Sequence, residues 1–479
     1  MIESAVTVDS GTQRTAVGLL SRSLAFEADI LPLAYDGVTL TVAVSNDSAE
    51  LIERIRQQTR KNVRSILLPL REIREGLKQL YPPNGAREGD SAAVQTLDDV
   101  FAAAIGCYAS DVHVEPSDGR AGRVRLDVDG VLQLERTLEP GLFERVVALL
   151  KVRSNMNTGE SRLPQDGRFS ILFDGRSFDV RASTIPVAGH EKVVLRFLQR
   201  FDLVPDLEQL GMGTELIARY QRAIKRPGAF CVIAGPTGSG KSTTSYASLQ
   251  TINLDQVNVC SVEDPIECRI PGIAQIAVNE KAGITFPVAL RALLRQNPHH
   301  LFIGEIRDSE TVSIALQASL TGIALTTTLH ARDALRVPAR LVELAAQRST
   351  LASALTVCVS QRLIRMLCRR CRIKSSLSSR AIAVARRYGV GLENDAADAQ
   401  GCEACGYSGF QGRVGAFEVL DVKPELAVAI ERGDAPAKLA AVAFGLGHRP
   451  MVVDALRHVA SGLTSEAELL RHLSYEDAE

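Results

Sequence analysis

AGPTGSGKSTT, residues Ala234–Thr244, stands between an apolar run, GAFCVIA (Gly228–Ala234), and a helix-like run, TTSYASLQTI. It fits G-x-x-x-x-G-K-[ST] with Gly235, Gly240, Lys241 and Ser242. The apolar run reads as a buried strand, so the order is strand, glycine-rich loop, helix. That context is what phosphate binding requires. Gly235, Pro236, Thr237, Gly238, Ser239 and Gly240 turn the backbone so that amide N–H groups converge on a polyphosphate. Lys241 is expected to meet the β- and γ-phosphates. The Ser242 hydroxyl is expected to ligate Mg²⁺, and Thr243 is expected to join the nucleotide-binding residues at the helix start. The alternative is an ordinary Gly/Ser turn, and a lysine at the right offset with the right flanks argues against it. The expected ligand is a nucleoside triphosphate.

The chain has 479 residues, more than one compact core holds, so about three domains are expected. The hydrophobic and charged fractions, 46% and 23%, are those of a soluble globular protein. A net charge of −1 gives no global electrostatic reason to bind nucleic acid or an anionic membrane. The absence of tryptophan weakens any case for base stacking. No apolar run is long enough to span a bilayer, and the N-terminus lacks an export signal. The cysteine pattern does not suggest a disulfide scaffold, and a cytoplasmic location is expected.

Residues 1–83 read as a small α/β module. GVTLTVAVS (Gly37–Ser45) and VRSILLPL alternate like strands, each followed by a helix-spaced run. PPNGAREGDSAA (Pro82–Ala93) marks an expected linker, set at 84–95. A helix is predicted from Thr96, opening an α+β domain over 96–200. From 205 to 366 strands and helices alternate, the pattern of a parallel sheet flanked by helices. A cysteine-bearing element occupies 367–422, and 423–479 is helical.

Several constellations accompany the phosphate loop. VEDPIE (Val262–Glu267) follows an apolar strand. A carboxylate there can polarise an attacking water, with Glu263 the first choice and Glu267 the second. LFIGEIRD (Leu301–Asp308) reads as a second buried strand ending in an acid, which sets Glu305 near Mg²⁺ and its waters. LTGIALTTTLHARDA (Leu320–Ala334) delivers His330 at a strand end, where it can contact the γ-phosphate. Arg181, Arg196, Arg291, Arg295 and Arg307 can fork onto phosphate oxygens. Cys368-Arg-Arg-Cys371 and Cys402-Glu-Ala-Cys405 give four thiolates, a set suited to structural Zn²⁺. Thirty residues separate the pairs, so an inserted helix must loop out between them. A dithiol redox centre is the rival, but neither pair opens a thioredoxin-like βαβ unit.

In this order the motifs resemble the type II secretion / type IV pilus assembly ATPase family, over about residues 24–474. Further landmarks are ASDVHVEP (Ala109–Pro116), RVRLDVDG (Arg123–Gly130), RLPQDGR (Arg162–Arg168), GHEKVVLR (Gly189–Arg196) and GYSGFQGRVGAFEVL (Gly406–Leu420). The resemblance implies a cytoplasmic homo-hexameric ring at the inner face of the inner membrane, hydrolysing ATP. It implies a RecA-like P-loop domain, 205–366, and a PAS-like domain, 96–200, with nucleotide between them. Arg181 and Arg196 would reach the phosphates from the PAS-like side, and Arg291, Arg295 and Arg307 match further arginines near the nucleotide. Glu263 matches the acidic-box glutamate, Glu305 the Walker B glutamate and His330 the histidine-box residue. Movement of one domain against the other would pass to an inner-membrane platform protein. Residues 1–83 resemble a docking domain that binds a membrane-anchored partner.

The sequence departs from the family pattern in places. Ile323 replaces the first histidine of the histidine box, His330-Ala331-Arg332 stands for His-Thr-Asn, and Asn297-Pro298-His299 stands for Asp-Pro-Asp. Two other readings follow: a non-hydrolysing, nucleotide-gated scaffold of the same machine, and a DNA translocase, which the near-neutral charge opposes.

Overall fold

The computed structural model describes residues 28–475 except 47, 60, 81–87, 118–120, 174–175, 199–203, 253 and 393–394, together with 16, 19, 20 and 25. In the N-terminal unit β1 (Ile30–Tyr35) pairs antiparallel with β2 (Thr39–Val44), and β2 pairs parallel with β3 (Asn62–Leu67). Helices Ala49–Thr59 and Leu70–Leu80 follow β2 and β3, as the alternation predicts. β1, ILPLAY, carries no period-2 signal and adds an edge to the expected module.

The second unit begins with a helix over Glu88–Gly106, so residues 88–95 of the expected linker are helical and the helix starts well before Thr96. The first part of that linker lies outside the described residues. Three antiparallel strands follow: β4 (Asp111–Pro116), β5 (Gly122–Val128) and β6 (Val131–Leu138). After a helix over Pro140–Arg153 come β7 (Gln165–Phe173), β8 (Arg176–Val187) and β9 (His190–Leu198). They form one antiparallel sheet in the order β6-β5-β4-β9-β8-β7. Both helices cover one face, where Phe101, Ala104, Val146 and Leu150 pack with Val112, Val114, Val180, Ala182 and Leu195. Each such buried aliphatic chain contributes about 1.5–3 kcal/mol. Strand alternation then turns Asp111, Arg181 and Arg196 to the other, helix-free face.

The third unit holds a seven-stranded sheet. Its strands are β10 (Phe230–Ala234), β11 (Val259–Glu263), β12 (Ala274–Ala277), β13 (His300–Ile303), β14 (Ala324–Leu329), β15 (Leu355–Leu367) and, after the cysteine element, a returning strand. β10 lies between β14 and β15, parallel to both, and β14, β13, β11 and β12 continue in parallel. Both faces are covered, which is why FCVIA and ALTTTL are buried throughout. β15 leads into an excursion that contains β16 (Ile373–Ser375), a helix over Ser379–Arg387 and β17 (Ala396–Asp398). That helix is the one expected to loop out between the cysteine pairs. The chain returns as β18 (Phe410–Asp421), antiparallel to β15. The cysteine element is therefore an insertion between two neighbouring antiparallel strands of the mixed sheet, and the expected boundaries at 366 and 422 cut β18 and the end of β15 off from it. Non-local pairing of this kind leaves no mark in a local sequence window.

Helices Pro424–Arg432, Pro436–Gly445, Met451–Ala460 and Glu466–His472 close the chain. The last is held by Arg365, whose Nε and Nη2 donate to Glu468 at 2.9 and 2.5 Å while its guanidinium lies 4.0 Å over the Phe410 ring. The second and third units touch at the β5–β6 turn. There Asp129 Oδ2 accepts from Gly412 N at 2.9 Å, and its Oδ1 pairs with Arg413 at 3.2 Å. No helix among the described residues is long and apolar enough to cross a membrane.

Candidate functional site

The site is built at the C-terminal ends of β10, β11, β13 and β14, the edge where parallel sheets receive ligands. β10 ends at Ala234 and the loop turns on Gly235, Gly238 and Gly240, with φ of +155°, +75° and +86°. A Cβ at Gly235 would meet the Gln361 carbonyl oxygen at 2.6 Å and Ser239 Oγ at 2.5 Å, so no side chain fits. Gln361, on β15, braces the loop by donating from Nε2 to the Ser239 carbonyl at 2.5 Å. The helix Lys241–Leu249 then points its N-terminus into the loop, supplying partial positive charge. Lys241 Nζ folds back and donates to the Gly235 and Pro236 carbonyls at 3.0 and 2.9 Å. Desolvation lowers its pKa, and the charges of Glu305 and Glu267 oppose that shift.

Glu263 does not face this loop as expected. It is 3% exposed, and its carboxylate accepts from Tyr246 OH, from Ser261 Oγ at 2.5 Å and from Gln275 Nε2 at 3.0 Å. Alternation puts Ser261 and Glu263 on one side of β11, and the β11–β12 register sets Gln275 opposite Ser261. Tyr246 comes from the helix after the loop, so the carboxylate pins that helix to the sheet. Its acceptor capacity is used internally. Glu267 takes the outward position, where the Ser242 side chain and the charges of Arg181 and Lys241 favour its ionised form. Desolvation by the surrounding protein, reinforced by Glu263, raises the Glu267 pKa against those partners. The Tyr246 hydroxyl, which also accepts from Glu267 N at 3.2 Å, joins the two acids.

Glu305, His330 and Arg307 come together. Glu305 Oε1 lies 3.2 Å from His330 Nε2, and its Oε2 accepts from Arg307 Nε at 2.9 Å. Arg307 Nη1 reaches Asp264 Oδ2 at 3.4 Å, so the VEDPIE and GEIRD segments are tied. Gly304 permits the approach: its Cβ would stand 3.2 Å from Glu263 Cα.

The remaining arginines divide. Arg181 is in register with Arg196 across β8 and β9, and Arg196 pairs with Asp111 at 2.8 Å. Arg181 Nε and Nη2 are buried without a hydrogen-bond partner. Desolvation, then the charge of Arg168, lowers the Arg181 pKa, while Asp264 and Glu267 act the other way. Arg181 thus stands against the acidic segment beside the loop. Arg291 and Arg295 do not. The helix Phe286–Leu293 buries Phe286, Ala289, Leu290 and Leu293, its polar face carries Arg291 to Glu310 at 2.5 Å, and Arg295 sits in the 3₁₀ turn that follows it. Arg295 donates to the Arg291 carbonyl at 2.9 Å.

The altered family positions are structurally satisfied. Ile323 packs against the sheet core. Asn297 adopts φ +50°, and Asn258 Nδ2 caps the Gln296 and Asn297 carbonyls at 2.8 and 3.0 Å. His299 Nδ1 accepts from Asn258 N at 2.9 Å. Tyr246 and Gln361 escaped the sequence reading. The only signal for Gln361 is the break it makes, with Ser360, after the apolar VCV run of its strand, and nothing marks Tyr246.

The four cysteines converge, with their Sγ atoms all within 4.8 Å of one another. Cys368–Cys402, Cys371–Cys405 and Cys402–Cys405 are each separated by 3.9 Å. Zn–S bonds of about 2.3 Å in a tetrahedron require sulfurs about 3.8 Å apart, so the set fits zinc closed on all sides by protein. Cys405 Sγ accepts from the backbone N–H of Cys402 and Gly409 at 3.3 and 3.2 Å, contacts that favour a thiolate.

Residues 86–471 match the sequence profile of the type II/IV secretion system protein family, and residues 10–87 match that of the MshEN domain. The protein transport protein HofB homolog of Escherichia coli is 36% identical over 94% of this chain and 98% of its own length. The type II secretion system protein HxcR of Pseudomonas aeruginosa is 39% identical over 76% of this chain and 73% of its own. The solved Legionella pneumophila ATPase DotB shares the fold, with a TM-score of 0.56 at 20% identity over 81% of this chain and 97% of that one. With matches of this extent, the chain belongs to the type II/IV secretion system protein family, alongside type II secretion and type IV pilus assembly ATPases.

Proposed function

We propose that the chain is a motor ATPase that hydrolyses ATP to drive assembly of a pilus or pseudopilus, or type II secretion. The observation that carries this reading is the convergence of Lys241, Ser242, Glu267 and Glu305 at one edge of the parallel sheet. In this reading the phosphate loop and Lys241 bind the β- and γ-phosphates. Ser242 would hold a Mg²⁺, which would supply the charge balance for them. Water attacks the γ-phosphorus, the bond to the β-phosphate oxygen breaks, and the water proton passes to a carboxylate. We assign that carboxylate to Glu267, whose raised pKa suits a base better than an acid already saturated with hydrogen bonds. Glu305 stands on the metal side, with His330 and Arg307 orienting it. Arg181 and Arg196 approach from the antiparallel sheet, which acts as the PAS-like domain of the family.

The reading extends to a cytoplasmic homo-hexamer at the inner membrane, with residues 1–83 docking on a membrane-anchored partner and a platform protein receiving the motion. Zn²⁺ in the cysteine cluster would be structural. The altered positions Ile323, Asn297 and His299 lie in packed or capped surroundings away from the acids, which favours hydrolysis over a passive scaffold. The test is phosphate release by the purified full chain beside Lys241→Ala. Loss in the variant is expected, and equal rates overturn the proposal.

A further inference from the structure

The antiparallel sheet carries a row that the sequence motifs do not reveal. Asp111 of β4 is in register with Arg196 of β9, Arg196 with Arg181 of β8, and Arg181 with Arg168 of the edge strand β7. Residues opposite each other in a sheet share a face, with Cβ atoms about 4.5–5.5 Å apart. Phe169 and Ile171 pack toward the helices, so Arg168 lies on the helix-free face with Arg181 and Arg196. Three arginines thus stand side by side, and Asp111 pairs with only the first. Like charges directly opposite one another destabilise a sheet. Arg168 is exposed and makes no hydrogen bond or ion pair among the described residues. The nearby acids are otherwise placed. Asp179, on the same face, accepts from Ser170 Oγ at 2.7 Å, and Asp166, two residues before Arg168 and opposite Ser183, makes no ion pair with it. Arg181, beside Arg168, keeps two buried N–H groups without acceptors and feels the charges of Asp264 and Glu267 at the phosphate loop.

A cation row with repelling neighbours, unused donors and its middle member facing the acids beside the phosphate loop is suited to a polyanion. We propose that Arg168 is a third phosphate-binding cation supplied by the antiparallel sheet to the triphosphate. This rests on the nucleotide-site reading above and adds a residue to it. Arg168 and Arg181 share the charge of the phosphates, and the triphosphate relieves their repulsion.

The test measures binding of a non-hydrolysable ATP analogue to the full chain and to its Arg168→Ala, Arg168→Lys and Lys241→Ala variants, with unfolding midpoints in the absence of nucleotide. Loss of one charge-assisted contact in Arg168→Ala should weaken binding about tenfold. Arg168→Lys, which keeps the charge without the fork, should fall in between. The nucleotide-free midpoint of Arg168→Ala should equal or exceed that of the parent, because a repelling charge is gone. Unchanged analogue affinity in Arg168→Ala, with binding lost in Lys241→Ala, overturns this inference alone. A lowered nucleotide-free midpoint in Arg168→Ala that Arg168→Lys restores also overturns it, because Arg168 would then be structural. Undiminished binding by Lys241→Ala overturns the nucleotide-site reading as well.

Discussion

Exchanging the two acids of VEDPIE for their amides, one at a time, separates a structural carboxylate from a chemical one. Glu263 accepts from Tyr246, Ser261 and Gln275 in a buried pocket. In Glu263→Gln the amide oxygen can serve one side of that pocket, and the NH₂ must then face a hydroxyl or amide that was donating. A buried donor left without an acceptor costs about 1–3 kcal/mol. Losing charge-assisted bonds adds to that cost, and no longer burying an anion offsets part of it, so the net loss is about 2 kcal/mol. For a domain the size of the nucleotide unit this lowers the unfolding midpoint by roughly 4–8 °C. Glu267 is not saturated in this way, and its isosteric neutral amide removes a charge that its surroundings already disfavour, so stability should shift by about 0.5 kcal/mol or less. Removing a positioned base, however, lowers turnover by about 10²–10⁴. Differential scanning fluorimetry and a coupled phosphate assay on both variants give the comparison. Glu263→Gln should be thermally weakened with part of its turnover kept, and Glu267→Gln should be stable and nearly inactive. An inactive Glu263→Gln with an unchanged midpoint, beside an active Glu267→Gln, would refute the reasoning.

The cysteine cluster should carry about one zinc per chain, measured by elemental mass spectrometry, and Cys402→Ser should lower that content and expose residues 367–410 to protease. Acid should act on two carboxylates in particular. Against the opposing effect of burial, Arg125, Lys192 and Arg123 hold Glu115 at about 2, and His472 and Arg365 hold Glu468 at about 2. Both lie below the unfolded value of about 4.3, so their stabilisation is complete above that pH and lost as pH falls toward the folded value. Denaturant titrations should therefore show stability dropping between about pH 4.5 and 2, with a shallower drop in Arg365→Ala. Equal slopes in the parent and Arg365→Ala would show that the Glu468 pairing is not the source.

Much of this architecture is legible in the chain because its causes are local. Phosphate binding demands glycines that reach positive φ between a buried strand and a helix, and Gly235, Gly238 and Gly240 meet that demand. Period-2 runs gave the strands of the antiparallel sheet, and an apolar strand ending in Gly304-Glu305 placed that acid beside His330 and Arg307. The misses have equally physical causes. EGDSAA reads as linker because it has no apolar period, yet its alanines and acids are compatible with the helix that begins at Glu88. β18 pairs with β15 across a long insertion, and only tertiary packing sets that register.

The acid at the end of β11 shows where local reading stops. Being last on an apolar strand puts Glu263 at the ligand-binding edge, and the motif stops there. Which way its carboxylate turns depends on three partners from three segments: Tyr246 on the loop helix, Ser261 on its own strand and Gln275 on β12. Once those donors claim Glu263, the hydroxyl of Tyr246 is also within reach of the Glu267 backbone, and Glu267 is the acid left beside Ser242. The same holds for the arginines. A spacing of four suggests that Arg291 and Arg295 share a helix face, but the helix ends at Leu293, and the acid opposite Arg291, Glu310, belongs to another helix and keeps Arg291 from the loop. A motif specifies which groups arrive at an edge, and the donors already present there decide which of them remains available for chemistry.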